Sequence, residues 1–344
     1  MLGQCCSSCT AGFSSLDVTP MPRLAKQILL PPVIESIVPA AALPGGDVEL
    51  RGIHLGPSGL TTPVALVDGI SARVLMSRSN RLGLRVPQQA TAGLIEVRTA
   101  DGASNTLSLH IARELSDGLH PVTSPVVSRS GMTFATISGQ RGKQTPVSIV
   151  RISPDRVGTP FVSGILNPTG LAFDPEGDLF VTSRAEGTVY RIDPGGESTV
   201  YAEGMGVATG AAFDADGNLF VGDRNGTIFK IAPDRKIFVY ATLEPSVAAY
   251  HLAVGADGTL YVTAPSLSPN DCVWAIDRDS NVYVTASLRG QRGLVRITPD
   301  GKAELVVAGY NLVGVAFSPL GTTVLATNEA VYDVDLGVEG LRLF

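Results

Sequence analysis

Six basic side chains, Arg141, Lys143, Arg184, Arg224, Arg289 and Arg292, are the residues of this 344-residue chain whose type and placement best suit recognition chemistry. Each falls in a short segment connecting apolar runs. A guanidinium offers a planar fork of donors that holds carboxylate or phosphate through two parallel hydrogen bonds. The set therefore points to a small anionic ligand or an acidic protein partner. A second group stands where connecting segments lead into apolar strands: Asn167-Pro-Thr-Gly170, Val207-Ala-Thr-Gly210, Tyr250-His251 and Asn311-Leu-Val-Gly314. Thr169, Thr209, Tyr250 and His251 are its ligand-binding candidates, and His251 and Glu244 the candidate catalytic residues. Glu244 is the one acid in the loop leading to Tyr250-His251. Hard cations need several oxygens, preferably charged, and only Glu244 supplies a carboxylate.

Other motifs carry less. Asp214-Ala-Asp-Gly-Asn218 looks like the start of a calcium loop but has no distal Glu, and reads as a hairpin turn. Gly204-Met-Gly-Val-Ala-Thr-Gly210 has the wrong spacing for a phosphate loop. His54, His110, His120 and His251 are scattered. Cys6-Ser-Ser-Cys9 has no second pair, and with Cys5 and Cys272 it makes no disulfide framework. The 26 Lys and Arg against 32 Asp and Glu leave a net charge of −6, which gives no electrostatic case for nucleic acid. No apolar run reaches membrane-spanning length. Residues 1–20 lack the basic and apolar regions of a signal peptide, Met21 is a second candidate start, and a cytoplasmic monomer is expected.

These residues must be positioned by strands, because the chain repeats a strand–turn–strand unit. GLAFDPEGDLFVT from Gly170 returns as GAAFDADGNLFVG from Gly210, HLAVGADGTLYVT from His251 and GVAFSPLGTTVLAT from Gly314. A second unit follows each time: SIVRISPD at Ser148, TVYRIDPG at Thr188, TIFKIAPD at Thr227 and GLVRITPD at Gly293. Outer runs such as STVYAEG at Ser198 and KIFVYAT at Lys236 complete four strands per ~40 residues, the pattern of a propeller blade. Turn positions Gly131, Gly177, Gly217, Gly258, Ser280 and Gly321 advance by 46, 40, 41, 22 and 41 residues. About 19 residues are missing between the fourth and fifth copies, so one strand at 272–277 is claimed by two roles. Either the fourth blade loses its edge strand and the fifth its inner one, or the fourth is reduced to two strands and a loop. A defective junction is expected, with Trp274 filling part of it. Pro125–Ser128 or Leu341–Phe344 is expected to close the ring. The basic loop residues fall on one face of such a ring, and Asp155, Asp174, Glu176, Asp193, Glu197, Asp214, Asp216, Asp234, Asp257 and Asp300 on the other.

Ahead of the repeats, residues 31–112 hold short alternating runs, among them Val48–Leu50, Val64–Val67, Leu82–Val86 and Ile95–Arg98, separated by Pro44-Gly-Gly46, Asp68-Gly69 and Asp101-Gly102. The pattern predicts a β-sandwich. PVIESIVPAAALPGGDVELRGIHLG, followed by VDG, VP and GASNTLSLHIA, resembles the IPT/TIG family of immunoglobulin-like modules. That resemblance implies a spacer or interaction domain. The expected organisation is a poorly ordered leader at 1–30, an Ig-like β-sandwich at 31–112, a linker at 113–122 and a six-bladed-type propeller with one incomplete blade at 123–344.

The repeat unit resembles NHL-type propellers and the wider six-bladed group containing SMP-30/gluconolactonase-like proteins. The latter resemblance implies a divalent cation, Ca²⁺, Mn²⁺ or Zn²⁺, that polarises a lactone carbonyl and helps activate water. Asn167 and Asn311 could stand for the family's asparagine, but no carboxylate occupies the other ligand positions. The leading expectation is therefore a ligand- or protein-binding propeller using the basic face and channel mouth, with a lactone hydrolase second and a purely structural module third.

Overall fold

The computed structural model describes residues 30–58, 60–121, 123–246, 249–263, 274–277 and 279–341. Met1, Met21, all four cysteines, the leader up to residue 29 and the Trp274 side chain lie outside them. Among the described residues every regular element is a β-strand, as the alternating runs and turn glycines require.

The N-terminal part contains β1 (Val33–Val38), β2 (Ala41–Ala42), β3 (Asp47–Ile53), β4 (Val64–Val67), β5 (Ile70–Arg78), β6 (Arg81–Arg85), β7 (Leu94–Thr99), β8 (Gly102–Ala103), β9 (Leu107–Ser108) and β10 (His110–Ile111). Pairing runs β1-β3-β6-β5-β4-β7-β8, with β9 on β7. The long β5 serves both halves: Ile70 to Ala72 pair with β4, and Arg73 to Arg78 with β6. Alternate residues turn inward, so Leu50, Leu82, Leu84, Ile95 and Val97 meet in one buried cluster.

Beyond it the chain builds a series of antiparallel sheets. The first is β12 (Val126–Val127), β13 (Thr133–Thr136), β14 (Ile149–Ile152) and β15 (Gly158–Val162); the second is β16 (Pro168–Phe173), β17 (Leu179–Ser183), β18 (Thr188–Ile192) and β19 (Ser198–Ala202). The third is β20 (Ala208–Phe213), β21 (Leu219–Asp223), β22 (Thr227–Ile231) and β23 (Ile237–Thr242), and the fourth, among the described residues, β24 (Leu252–Val254) and β25 (Leu260–Val262). The fifth is β26 (Trp274–Ile276), β27 (Val282–Leu288), β28 (Gln291–Ile297) and β29 (Ala303–Ala308), and the sixth β30 (Leu312–Phe317), β31 (Thr322–Thr327) and β32 (Val331–Asp335). Contacts between first strands run from β12 to β16, β20, β24, β26 and β30, and return from β30 to β12.

Closure departs from the sequence expectation. The outer strand of the sixth sheet is β11 (Arg113–Ser116), pairing Arg113 with Asp333 and Glu114 with Tyr332. These residues fall in the stretch expected as a linker. The free edge of β32 needs a partner for its backbone groups, and the segment leaving β10 is at hand. Val126–Val127 opens the first sheet instead, and Leu341 donates its amide to the Ile276 carbonyl at 3.2 Å.

Apolar clusters bond successive sheets. Ile149, Ile165, Leu179 and Val181 join the first to the second. Phe180, Phe213 and Val221 join the second to the third, with the Phe180 and Phe213 rings edge-on at 4.9 Å. Phe220, Leu252 and Val254 join the third to the fourth, and Val150, Ile152, Val324 and Val331 the sixth to the first. No cluster among the described residues joins the fourth sheet to the fifth; Val284, Val295 and Leu305 pack within the fifth alone. The disputed strand belongs, in its described part, to the fifth sheet; most of the junction expected to be defective lies outside the described residues. The fifth sheet is also extended at its outer edge by β2 and then β10, both parallel, so that it has six strands.

Candidate functional site

Arg184 follows β17 and Arg224 follows β21, at equivalent positions of the second and third sheets. Each backbone amide bonds the segment leading into its own sheet, Arg184 to the Asn167 carbonyl and Arg224 to that of Val207, both at 3.2 Å. Arg141 lies in the long β13–β14 connection. The Asn167 side chain shapes that loop: its Oδ1 accepts from the Gly142 amide at 2.7 Å, and its Nδ2 donates to the Gly139 and Gln140 carbonyls at 3.0 Å. Three loops thus bring Arg141, Arg184 and Arg224 together. Burial, with the charges of Arg224 and Arg141, holds the Arg184 guanidinium below its ordinary value. Its Nε is buried without a hydrogen-bond partner. No ion pair among the described residues includes Arg141 or Arg184. Like charges gathered at a half-buried guanidinium are unfavourable unless an anion joins them.

The remaining basic candidates sit apart. Lys143 is exposed in the Arg141 loop. Arg289 lies at the β27–β28 turn with φ of 52°, in a recess shared with Asp47, Glu49 and Arg81 of the N-terminal part. Arg292 is exposed on β28 beside it. The expected single basic rim is therefore divided, because β27 and β28 reach toward the N-terminal module. On the acidic side several carboxylates serve their turns: Asp174 accepts from the Gly177 and Asp178 amides, Asp193 from Gly195 and Glu197, and Asp214 from Asp216 and Asn218.

The second predicted group proves structural. Thr209 Oγ1 donates to the Gly222 carbonyl at 2.9 Å and accepts from the Tyr250 amide at 3.2 Å. The hydroxyl of Thr169 donates to the Asn167 carbonyl at 3.1 Å, while its own carbonyl accepts from Thr123 Oγ1 at 2.7 Å. These threonines pin neighbouring first strands together and are buried. Tyr250 is fully buried, and its hydroxyl donates to the Glu244 backbone carbonyl. The first strands surround a cavity of about 240 Å³ walled by Gly170, Gly210, Val315 and their neighbours. His251 is the titratable side chain in that wall, and burial pushes its imidazole down to about 4. It stands where other copies carry Gly170, Gly210 and Gly314. A Cβ at Gly210 would lie 2.1 Å from the Tyr250 carbonyl oxygen.

Asn167, Asn311 and Glu244 do not make a cation site. The Asn167 amide is engaged by the 139–142 loop. Asn311 is exposed beside Tyr310, and the Glu244 carboxylate is exposed on another loop. Among the described residues no three His, Cys, Asp or Glu side chains converge. These residues do not fit a divalent cation. No sequence signal marks the buried Asp277 network, in which Asn281 Nδ2 and the Tyr283 hydroxyl donate to Oδ2 at 2.8 and 3.0 Å. Asp277 and Asn281 are ordinary turn residues, and Tyr283 stands on β27 just after them.

No family model and no curated protein matches the chain. Among solved structures it is similar to a structural-genomics target described as a gluconolactonase candidate, 17% identical over 67% of this chain and 93% of that one, with a TM-score of 0.54. A gluconolactonase from Xanthomonas campestris is 14% identical over 65% and 89%, with a TM-score of 0.53. An auxiliary nutrient binding protein from Bacteroides thetaiotaomicron is 13% identical over 89% and 98%, with a TM-score of 0.48. The first two likenesses establish a propeller fold alone.

Proposed function

We propose that the protein is a binding propeller that captures a small anion at Arg184, flanked by Arg141 and Arg224. The carrying observation is the half-buried Arg184 guanidinium, with an unpartnered Nε and two cationic neighbours. A bidentate carboxylate or phosphate would supply the missing acceptor and offset the repulsion. We read the sheets as six blades of one ring, the fourth cut to two strands; the closed succession of first-strand contacts supports this. We read the N-terminal part as an IPT/TIG-like sandwich, supported by β5 being shared between two halves over one core.

Calorimetric titration with phosphate, citrate and gluconate at low salt tests the reading. At least one should bind the wild type, and Arg184→Glu or Arg224→Glu should weaken it tenfold or more. Failure of every anion to bind, or binding indifferent to both reversals, sinks the proposal. Lactone hydrolysis is the alternative, supported by the fold shared with a gluconolactonase. Metal analysis of the purified protein with a sugar-lactone panel decides it: no metal and no turnover removes it.

A further inference from the structure

One face of the N-terminal module concentrates cations on a chain whose net charge is −6. Residues directly opposite one another in an antiparallel pair lie on the same face. Between β3 and β6, Arg51 is opposite Arg81 and Asp47 opposite Arg85. Between β6 and β5, Arg81 is opposite Arg78 and Arg85 opposite Arg73. The outward side of these strands thus carries two rows of arginine, at the register positions of Arg81 and Arg85. Four residues of strand at ~3.4 Å each place the rows roughly 14 Å apart. Arg51, Arg73, Arg78 and Arg81 are exposed.

The carboxylates on this face are already engaged. Glu49 accepts from Arg51 and Arg81, and Asp47 from Arg85 and Tyr310. Arg73 adds only its field to Asp47. Neither Arg73 nor Arg78 forms an ion pair or hydrogen bond among the described residues, and each faces a second arginine across the strands. Like charges directly opposite each other are unfavourable, so both rows lack an anion. The row between them differs. It holds Glu49, Gly83 and Met76, with Leu75 beside them at the β5 bulge and 42% exposed. Leu75, Met76 and Gly83 line a recess of about 380 Å³, whose other wall includes Leu288, Arg289 and Leu305 of the fifth sheet.

We propose that this face docks an extended acidic segment of a partner protein, with acidic side chains at positions i and i+4 and an apolar one at i+2. Alternate side chains of an extended chain point the same way. That pattern sets one carboxylate at each arginine row and the apolar group over the recess between them. The two carboxylates supply the acceptors that Arg73 and Arg78 lack. Nucleic acid matches the face less well. Its charge repeats at every nucleotide, so phosphates would also fall on Leu75 and on the Glu49 carboxylate. This face is separate from Arg141, Arg184 and Arg224, and the two readings fail independently.

Fluorescence anisotropy of the full chain with dye-labelled, end-blocked peptides at low salt tests it. Thr-Glu-Thr-Leu-Thr-Glu-Thr should bind, and more tightly than Thr-Thr-Glu-Leu-Glu-Thr-Thr, which has the same composition and the wrong spacing. Raised salt should weaken the complex. Arg73→Glu and Arg78→Glu should each cost on the order of tenfold in affinity, while Arg184→Glu leaves it unchanged. Arg78→Glu should melt no lower than the wild type, because the new carboxylate faces Arg81. Absence of binding, or equal binding of the two peptides, overturns the proposal. A loss on Arg184→Glu without one on Arg73→Glu or Arg78→Glu overturns it and leaves the Arg184 reading standing. Tighter binding of a short DNA duplex than of the peptide assigns the face to nucleic acid and overturns it equally. A lower melting temperature for Arg78→Glu does so too, by showing that this arginine serves the fold.

Discussion

The Tyr310 hydroxyl donates to Asp47 Oδ2 at 2.5 Å, across 263 positions of sequence. The same carboxylate receives Arg85 through two bonds of 2.7 and 2.9 Å, and the Arg85 guanidinium lies 5.2 Å from the centre of the Tyr310 ring. Tyr310 follows β29, while Asp47 and Arg85 belong to β3 and β6. The trio therefore clamps the N-terminal module to the fifth sheet beside the β2 extension. Burial alone would raise the Asp47 carboxyl; the hydrogen bonds from Arg85 and Tyr310 outweigh it and hold the group below its ordinary value.

Tyr310→Phe should cost about 0.5–1.5 kcal/mol, one partly exposed hydrogen bond to a charged group. Because the folded Asp47 is the stronger acid, its contribution is present above the ordinary carboxylate value and fades as pH falls through its depressed folded value. Melting temperatures of wild type and Asp47→Asn from pH 7 to pH 3 should converge at the acid end. Parallel curves would refute this account of the clamp.

His251 predicts a second acid response in a different window. Its folded value of about 4 lies below the ordinary 6.5, so the unfolded chain binds the proton first. Stability is complete above the ordinary value and declines as pH drops from 6.5 toward 4, by roughly 2 kcal/mol. His251→Gln should flatten that interval while leaving the Asp47 response intact. Urea unfolding at pH 7, 5.5 and 4.5 measures the difference, and an unchanged slope in the variant would count against it.

Gly210→Ala should destabilise by about 2–3 kcal/mol, since the new methyl meets a backbone oxygen that cannot swing away. The clash falls between the third and fourth sheets, where Gly222 also leaves room for Tyr250: a Cβ there would lie 2.7 Å from the Tyr250 Cβ. Denaturant midpoints provide the check, and a loss below about 0.5 kcal/mol would show that the strands can separate.

Arg184→Met should stabilise the ligand-free protein by about 1 kcal/mol, because a half-buried cation between two others contributes repulsion and desolvation cost without a partner. The same variant should lose anion binding. Thermal melts at low and high salt distinguish the causes: the wild-type deficit should shrink as salt screens the three charges. A destabilised variant would mean that the side chain packs as part of the core.

The sequence by itself determined the period of the strands, the turns between them and the place where the spacing of the repeats is broken. Side-chain alternation and turn residues are local, and a deletion shows directly as a broken spacing. It also placed Arg141, Arg184 and Arg224 in equivalent loops. Only the tertiary structure separated those three from Arg289 and Arg292, turned Thr169, Thr209 and Asn167 into rivets, and chose Arg113–Ser116 to close the last sheet. Those outcomes rest on which distant backbone groups need partners and which charges meet across loops. Asp47 and Tyr310 are ordinary residues in sequence, and a pairing over that many positions leaves no local pattern to read.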